Sequence, residues 1–511
     1  MALNYTYLSS AAVGLSLMAS TASADLTAAD VWDDWRGYLE GLGYAVTAIQ
    51  STDGSKLSVS DIEIQTSDRP NIRSMVMRIG GMEFVENAGG SVAVVMAERM
   101  PMAIIIAPDD NAPSIEMNIE YAQSGHQMTV RGDAGAMTYD YSADTFGLIL
   151  ASLVMDGKTM DATTAQFGME GTALVSKTAV TVGETRDYEQ SVQIGSLFYD
   201  MLFNAPDDVE GMVVRSKLGA MSFTGNSTMP ADQVTQTSNL MPLIAAGFAF
   251  DGTFDTQGTE TEVELTSEDG TTKIKTGSAR STLGVAVGAD GIRYDVDAQQ
   301  VQIGAQLAGL PFPLFAEMAN SGFNLQSPVA QSETPQDFKI AFNLTDFTMS
   351  DIIWALFDPS QQLPRDPATI ALGISGKAKV LLDPFDPETI QRSAEAGTYP
   401  GELDSLRIDT LIVDAVGAKF EAQGDVMFDN TDTTTLPGFP KPVGDVTINV
   451  TGANGLMDKL VAMGLLPAEQ VMGARMMLGL FAVPGDAPDT LKSRIEFNEA
   501  GQILANGQHI K

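Results

Sequence analysis

The sequence contains no cysteine and only two histidines, His126 and His509. The first absence excludes disulfides, thiolate metal sites and a lipid-modified cysteine. The second excludes a multi-histidine metal centre, and no His-Glu-x-x-His motif occurs. A Ser-His-Asp triad would have to recruit one of these two histidines, and the Gly-x-Ser-x-Gly elbow is missing. Basic residues are scarce: 29 Lys and Arg face 66 Asp and Glu, for a net charge of −37. Such a field repels nucleic-acid phosphates and anionic headgroups, and no Lys/Arg cluster overrides it. No internal run reaches the ~18 apolar residues of a membrane-spanning helix. The longest, around Met100–Ile106, has the length of a strand. Aromatics amount to 7%, and the chain closes on Ile510-Lys511 rather than on an aromatic residue, which argues against an outer-membrane barrel.

What is present begins with export. Residues 7–18, from Tyr7 to Met18, are an apolar run, and Ala22-Ser23-Ala24 is a small-x-small cleavage site. The run is too short to span a bilayer, so residues 1–24 read as a signal peptide cut after Ala24 and the protein as periplasmic. The segment before the run carries no Lys or Arg. The remainder, with 44% hydrophobic and 19% charged residues over the whole chain, has the apolar content to fold rather than stay disordered. Its length suits more than one unit, and we expect regions at 25–235 and 236–511, with Pro328–Pro335 as a further break.

The expected fold is mainly β, of α+β type: a large, curved antiparallel meander with short apolar helices over its inner face. A helix at 27–42 opens it, with Thr27 and Asp30 as a cap and Val31, Trp35, Leu39 and Leu42 at helical spacing before Gly43. That stripe reads as core-facing, with membrane insertion of Trp32 and Trp35 as the alternative. From Tyr44 onward, alternation of period two dominates, broken by Gly, Asp, Asn and Ser. Ile115, Met117, Ile119 and Tyr121 lead through Ser124-Gly125-His126 toward Met128 and Val130, read as a hairpin. Val263 and Leu265 lead through Glu268-Asp269-Gly270 to Ile274. Leu283, Val285 and Val287 lead through Gly288-Ala289-Asp290-Gly291 to Ile292, Tyr294 and Val296. Short helices are expected at Phe146–Met155, Ile194–Phe203, Leu240–Phe250, Leu314–Asn320, Ser350–Phe357, Glu388–Ala396, Leu456–Met463 and Pro467–Phe481.

Several stretches resemble a family of exported bacterial proteins, domain of unknown function 2125. They are Leu363-Pro364-Arg365-Asp366-Pro367-Ala368, Val416–Gly424, Pro440-Lys441-Pro442-Val443-Gly444, Met476-Met477-Leu478-Gly479, and the closing Gly501-Gln502-Ile503 with Asn506-Gly507-Gln508. Val31-Trp32-Asp33-Asp34-Trp35 and Gly43-Tyr44 fit it too. The family brings no reaction and no site residues. The last strand and the helix pair before it are also similar, as a pattern, to AsmA-like periplasmic proteins of envelope lipid handling.

Candidate chemistry is thin, and no catalytic, cofactor-binding or metal-ligating residue is assigned. Asp383-Pro384-Phe385-Asp386-Pro387-Glu388 and Asp429-Asn430-Thr431-Asp432 offer oxygen ligands for calcium but lack EF-hand spacing, and read as turns. The two histidines read as solvated. Methionine is in excess, 27 in all, clustered at Met75, Met77, Met82, Met96, Met100 and Met102 and again at Met457, Met463, Met472, Met476 and Met477. Thioethers suit irregular cores and also grooves that take varied apolar ligands. The leading reading is a non-enzymatic envelope protein that binds or transfers lipid or another apolar molecule, with no cofactor. A scaffold for other envelope proteins is the second reading, and a carboxylate hydrolase the third.

Overall fold

The structure, a computed structural model, describes residues 25–69, 72–108, 113–205, 209–230 and 240–510. The signal-peptide segment 1–24 and the expected boundary at 235/236 lie outside the described residues. Helix α1 (Ala28–Gly41) opens the fold as the sequence predicts: Thr27 Oγ1 accepts from Asp30 N–H, and the Asp30 carboxylate accepts from Thr27 N–H. Fifteen strands follow in chain order. They are β1 (Ala45–Asp53), β2 (Lys56–Arg69), β3 (Ile72–Ile79), β4 (Met82–Asn87), β5 (Ser91–Met96), β6 (Arg99–Pro108), β7 (Ile115–Ser124), β8 (Gln127–Asp133), β9 (Ala136–Met155), β10 (Lys158–Met160), β11 (Ala165–Val182), β12 (Thr185–Ile194), β13 (Ser196–Asn204), β14 (Gly211–Leu218) and β15 (Met221–Pro230).

Beyond helix α2 (Met241–Ala245) come β16 (Ala249–Ser267), β17 (Gly270–Gly288), β18 (Gly291–Gln306), β19 (Leu314–Ser327) and β20 (Gln336–Met349). Helix α3 (Asp351–Ala355), β21 (Ala368–Val380), helix α4 (Pro387–Ala396), β22 (Gly401–Ala415), β23 (Ala418–Asp429) and β24 (Lys441–Thr451) follow. Helices α5 (Ala453–Ala462) and α6 (Ala468–Phe481) form a hairpin before β25 (Val483–Pro484), β26 (Thr490–Phe497), β27 (Ile503–Ala505) and β28 (Gln508–His509). All these strands join one sheet, and every pairing between them is antiparallel. β14 and β15 pair with β16, on the other side of the expected boundary, and β19 pairs with β20 across Pro328–Pro335.

The sheet is built from long strands, many of them interrupted near the middle, whereas the β23–β24 ladder runs unbroken. β7 and β8 run end to end along β9, as β12 and β13 run along β11 and β14 and β15 along β16. The interruptions align from strand to strand. The ladder skips at Asp61, Asp144, Ala173, Gly195, Gly258, Ala279, Gln300 and Ala319. Asp61, Ala173, Gly258, Gln300 and Asp346 carry positive φ there, the backbone of a β-bulge. Backbone bonds from Gly219 N to Gly258 O and from Gln257 N to Ala220 O, both 2.8 Å, stitch the column where the ladder lapses.

An extra residue at a bulge shifts the side-chain alternation by one. β16 has Phe250 and Phe254 before its break but Val263 and Leu265 after it. β18 likewise passes from Ile292, Tyr294 and Val296 to Val301, Ile303 and Ala305. Residues three apart therefore share a face, as the 2.8 Å contact between Ser278 Oγ and Ser281 Oγ shows. Apolar side chains thus keep to one face on both sides of the column, with the hydroxyls of Thr259, Ser278 and Ser281 meeting at the column itself.

Several sequence expectations need correction. Ser124-Gly125-His126 makes no hairpin; Gly125, with φ of 63°, takes the chain through the bulge column and onward into β8. Phe146–Met155, Ile194–Phe203 and Leu314–Asn320 are strands, not helices. These apolar runs lack a clear period, and the ladder partners available on both sides decide for strand. Leu240–Phe250 splits into the five-residue α2 and the start of β16. The helices at Ser350–Phe357, Glu388–Ala396, Leu456–Met463 and Pro467–Phe481 are present within a few residues of their expected ends.

One condensed core exists among the described residues, and it lies under α1. Val31, Trp32, Leu57, Val59, Phe84, Val92, Val94, Val130, Met137, Tyr139 and Val180 are buried in it. Trp32 and Trp35 set their rings 6.2 and 5.5 Å from Phe84, so both tryptophans are spent on packing. Each large side chain buried here stabilises by ~1.5–3 kcal/mol. Half of the first methionine cluster belongs to this region: Met82 is buried in the core, and Met77 and Met96 pack against it. No helix among the described residues is long and apolar enough to cross a membrane.

The bulge column yields a stability test. A Cβ on Gly219 would sit 1.9 Å from Gln257 O, whereas one on Gly258 meets nothing within 4 Å. We expect Gly219→Ala to lower stability by about 1–3 kcal/mol in urea unfolding. Gly258→Asn, at a φ that Asn tolerates, should stay within about 0.5 kcal/mol of wild type. Equal midpoints for the two variants would contradict the column as a structural constraint.

Candidate functional site

Beyond α1 the apolar face continues without cover. The register traces it: Val180 pairs with Tyr188, Tyr188 with Ser227, and Ser227 with Phe250, so the floor beneath α1 and the later strands share one face. Beside that row runs a longer one. Val192 pairs with Phe223, then in turn Phe254, Leu283, Val296, Phe323, Phe342, Leu372, Leu411, Ala422 and Ile448 follow, each opposite the last. At ~4.8 Å between strands, its ten steps span roughly 48 Å. Phe254, Tyr294, Phe323, Ile340, Phe342, Ile370 and Val413 on this face are each 38–42% exposed.

Two details keep the floor smooth. Gly225 and Gly252 lie between the phenylalanines, and a Cβ at either would collide with the Phe223 ring. The rings of Phe223 and Phe254 sit 4.5 Å apart. The opposite face is charged. Arg280 pairs with Asp255, Arg293 with Asp251, Lys275 with Glu262, Lys377 with Asp337 and Arg494 with Asp445. Such exposed pairs contribute little stability each, but they keep that face wet. The two larger hollows, about 630 and 770 Å³, include Arg215, Lys217, Glu260, Glu262, Glu98 and Arg99 in their linings, so volume alone does not mark the site.

Where α1 ends and the open face begins, an apolar hollow of about 350 Å³ is lined by Trp35, Tyr38, Leu39, Met128, Tyr139, Val180 and Tyr188. Its polar element is an ion pair between Asp34 of α1 and Arg186 of β12, with side chains only 6% and 16% exposed. Arg186 also donates to the Tyr188 hydroxyl and lies over the rings of Tyr38 and Tyr188. Tyr139 donates to Asp34 at 2.6 Å. Burial above all, then the bond to Asp34 and its charge, drives the Tyr139 phenol far above its ordinary range. Burial pushes Tyr188 up to about 12, against the opposing pull of Arg186. Burial, the largest single influence, would lower Arg186, but the bond to Asp34, the Asp34 charge and Tyr188 together outweigh it and raise it. Tyr139 and Tyr188 therefore stay neutral and Arg186 stays charged at physiological pH, which makes the group a fixed pin rather than an acid–base device.

At the far end the α5–α6 hairpin closes the face. The Asp489 carboxylate accepts from the N–H groups of Asn454 and Gly455 and from Asn454 Nδ2. Burial works against its charge, but these donors win and hold it below the usual carboxylate range. Arg475 of α6 donates to Asn454 Oδ1, Asn454 O and Asp458. Ser493, opposite Ile448 at the end of the long row, donates to Phe481 O at 2.6 Å. Ala422 and Val426 are buried here, unlike their row neighbours.

The remaining sequence candidates take structural places. His126 is half-buried rather than solvated: its Nε2 lies 3.0 Å from Val94 O and its ring 5.3 Å from that of Tyr141. His509 is exposed on β28. Asp386 caps α4 through the N–H groups of Glu388 and Thr389, and Asp383 accepts from Phe385 N–H. Asp429 holds Thr431, and Asp432 holds Thr434 and Thr435. The backbone N–H and hydroxyl of Thr435 lead in keeping Asp432 well below the carboxylate range. No group of three or more acidic or histidine side chains among the described residues is arranged to hold a metal. The stretch from Leu363 is also structural. Leu363 is buried, its N–H and that of Gln362 bind Asp358, and Arg365 lies over Trp354. Asp34 and Arg186, 152 positions apart, were invisible in sequence, and no local signal marks them.

Fold and face together define a single-sheet β protein with an open apolar surface. The chain belongs to the family described as "Uncharacterized protein conserved in bacteria (DUF2125)", whose model matches residues 248–504. The match runs from the start of β16 to β27, so it takes in most of the open face and the α5–α6 hairpin, while Val31–Trp35 and Gly43-Tyr44 lie outside it. Neither the curated proteins nor the solved structures return a match to the chain.

The ion pair supplies a test by double-mutant cycle. Asp34→Ala leaves Arg186 charged and unpaired, so we expect a loss of about 3 kcal/mol, and Asp34→Ala with Arg186→Met should recover most of it. Equal losses for the single and double variants in thermal or urea unfolding would contradict the pin.

Proposed function

We propose that this chain is an exported, non-enzymatic envelope protein that binds apolar molecules, acyl chains of lipids foremost, along the open face of its sheet. The observation that carries the reading is the row from Val192 to Leu411, apolar, partly exposed and free of charged side chains, before the α5–α6 hairpin covers Ala422. An apolar patch on this scale on a soluble surface marks a binding site. Its eight open steps, roughly 38 Å, exceed the ~30 Å hydrocarbon core of a whole bilayer, which favours a track that passes chains along over a pocket that holds one. The run at Tyr7–Met18 with Ala22-Ser23-Ala24 supports delivery to the periplasm and cleavage after Ala24.

A scaffolding role has one observation in its favour. Among the described residues β1 pairs only with β2, so its outer edge presents backbone groups suited to strand addition.

Native mass spectrometry of protein purified from its own compartment, with lipid extraction, separates the two. We expect the mature mass to begin at Asp25 and to carry phospholipid or fatty acid, and Phe323→Glu with Phe342→Glu to remove most of it. A wild-type protein free of lipid would overturn the lipid reading and leave strand addition in front.

A further inference from the structure

The second methionine cluster has a different fate from the first. Helix α6 touches the rest of the molecule along a narrow seam, where Val471 is buried and Arg475 and Leu478 are half-buried. The rest of its circumference faces outward, with Met472, Met476, Met477 and Leu480 at 67, 71, 55 and 56% exposure. A helix apolar on nearly every side is normally enclosed; this one is not. From Gln470 to Phe481 its one charge is Arg475, and that guanidinium is engaged on the seam by Asn454 and Asp458.

We propose that α6 is a membrane-docking element, lying in the interface of a lipid bilayer with its methionines among the acyl chains. Two features favour a bilayer over a protein partner. The segment 452–484 carries Asp458, Lys459, Glu469 and Arg475, hence no net charge, in a chain of −37, so it is a surface that a bilayer can approach without repulsion. A single protein face would cover one side of the helix, whereas exposure runs around it and calls for a medium that surrounds it. With 14 residues, α6 is too short to span and long enough to lie in the plane. The Asp489 and Arg475 contacts hold it at the end of the apolar face, where Ser493 meets Phe481. The docking rests on α6 alone and stands whether or not the sheet carries lipid.

The test is flotation of the purified chain with vesicles of phosphatidylcholine, and of phosphatidylcholine with phosphatidylglycerol. Wild type should float with the neutral vesicles, and Met472→Glu with Met476→Glu should reduce the bound fraction by at least about tenfold. Met472→Leu with Met476→Leu should float as wild type does, and circular dichroism should show all three folded. Phe323→Glu, on the sheet, should float normally, which keeps failure of docking distinct from failure of the groove. Wild type that stays with the soluble fraction, or glutamate variants that float unchanged, would overturn the proposal. So would light scattering that shows a dimer dispersed by the glutamate pair without any flotation, since a second copy would then be what covers α6.

Discussion

A sheet of one layer has two faces, and only one of them can be made of charged residues without leaving the chain no reason to fold. Everything distinctive here follows from how the other, apolar face is kept in register and how little of it is covered. The bulge column is the device. By adding a residue to many strands at the same height, it lets strands close to 20 residues long change the phase of their alternation without turning apolar side chains outward. Without the extra residue, Val263 and Leu265 would point to the side that holds Asp255 and Arg280.

Cover is concentrated at the ends. α1, fastened by Asp34 and Arg186, forms a dense core over the first strands, and α5–α6, fastened by Asp489 and Arg475, shields the last ones. Between them the rows run on as bare phenylalanine, leucine and isoleucine. The arrangement is asymmetric in its fasteners: a buried ion pair with tyrosines at one end, and a capped helix hairpin at the other. It is asymmetric in its methionines as well, packed within the core region at the first end and exposed on α6 at the second.

Much of this was legible in the sequence. The capping box at Thr27 and Asp30, the Val31–Leu39 stripe and the hairpins at Glu268-Asp269-Gly270 and Gly288–Gly291 are local signals, and they fold as they read. The misread elements share one cause. A short run such as Phe146–Met155 has no period to distinguish strand from helix, and only the partners β7 and β11, distant in sequence, decide it. Gly125 reads as a turn because a glycine between two apolar stretches serves a turn and a bulge equally well. The phase slip between Phe254 and Val263 was present in the letters, and it is the one non-local feature that local reading could have found. The pairing of Asp34 with Arg186 could not be found that way, since nothing near either residue announces the other.

The claim on which the rest depends is that the face bearing Phe254, Phe323 and Phe342 meets lipid while the face bearing Asp255, Asn324 and Asn343 meets water. Photo-crosslinking in living cells, with a benzophenone amino acid placed in turn at each of these six positions, addresses it directly. Lipid adducts at 254, 323 and 342 and none at 255, 324 and 343 would bear the account out. Adducts equally distributed between the two faces, or confined to proteins on the apolar face, would contradict it.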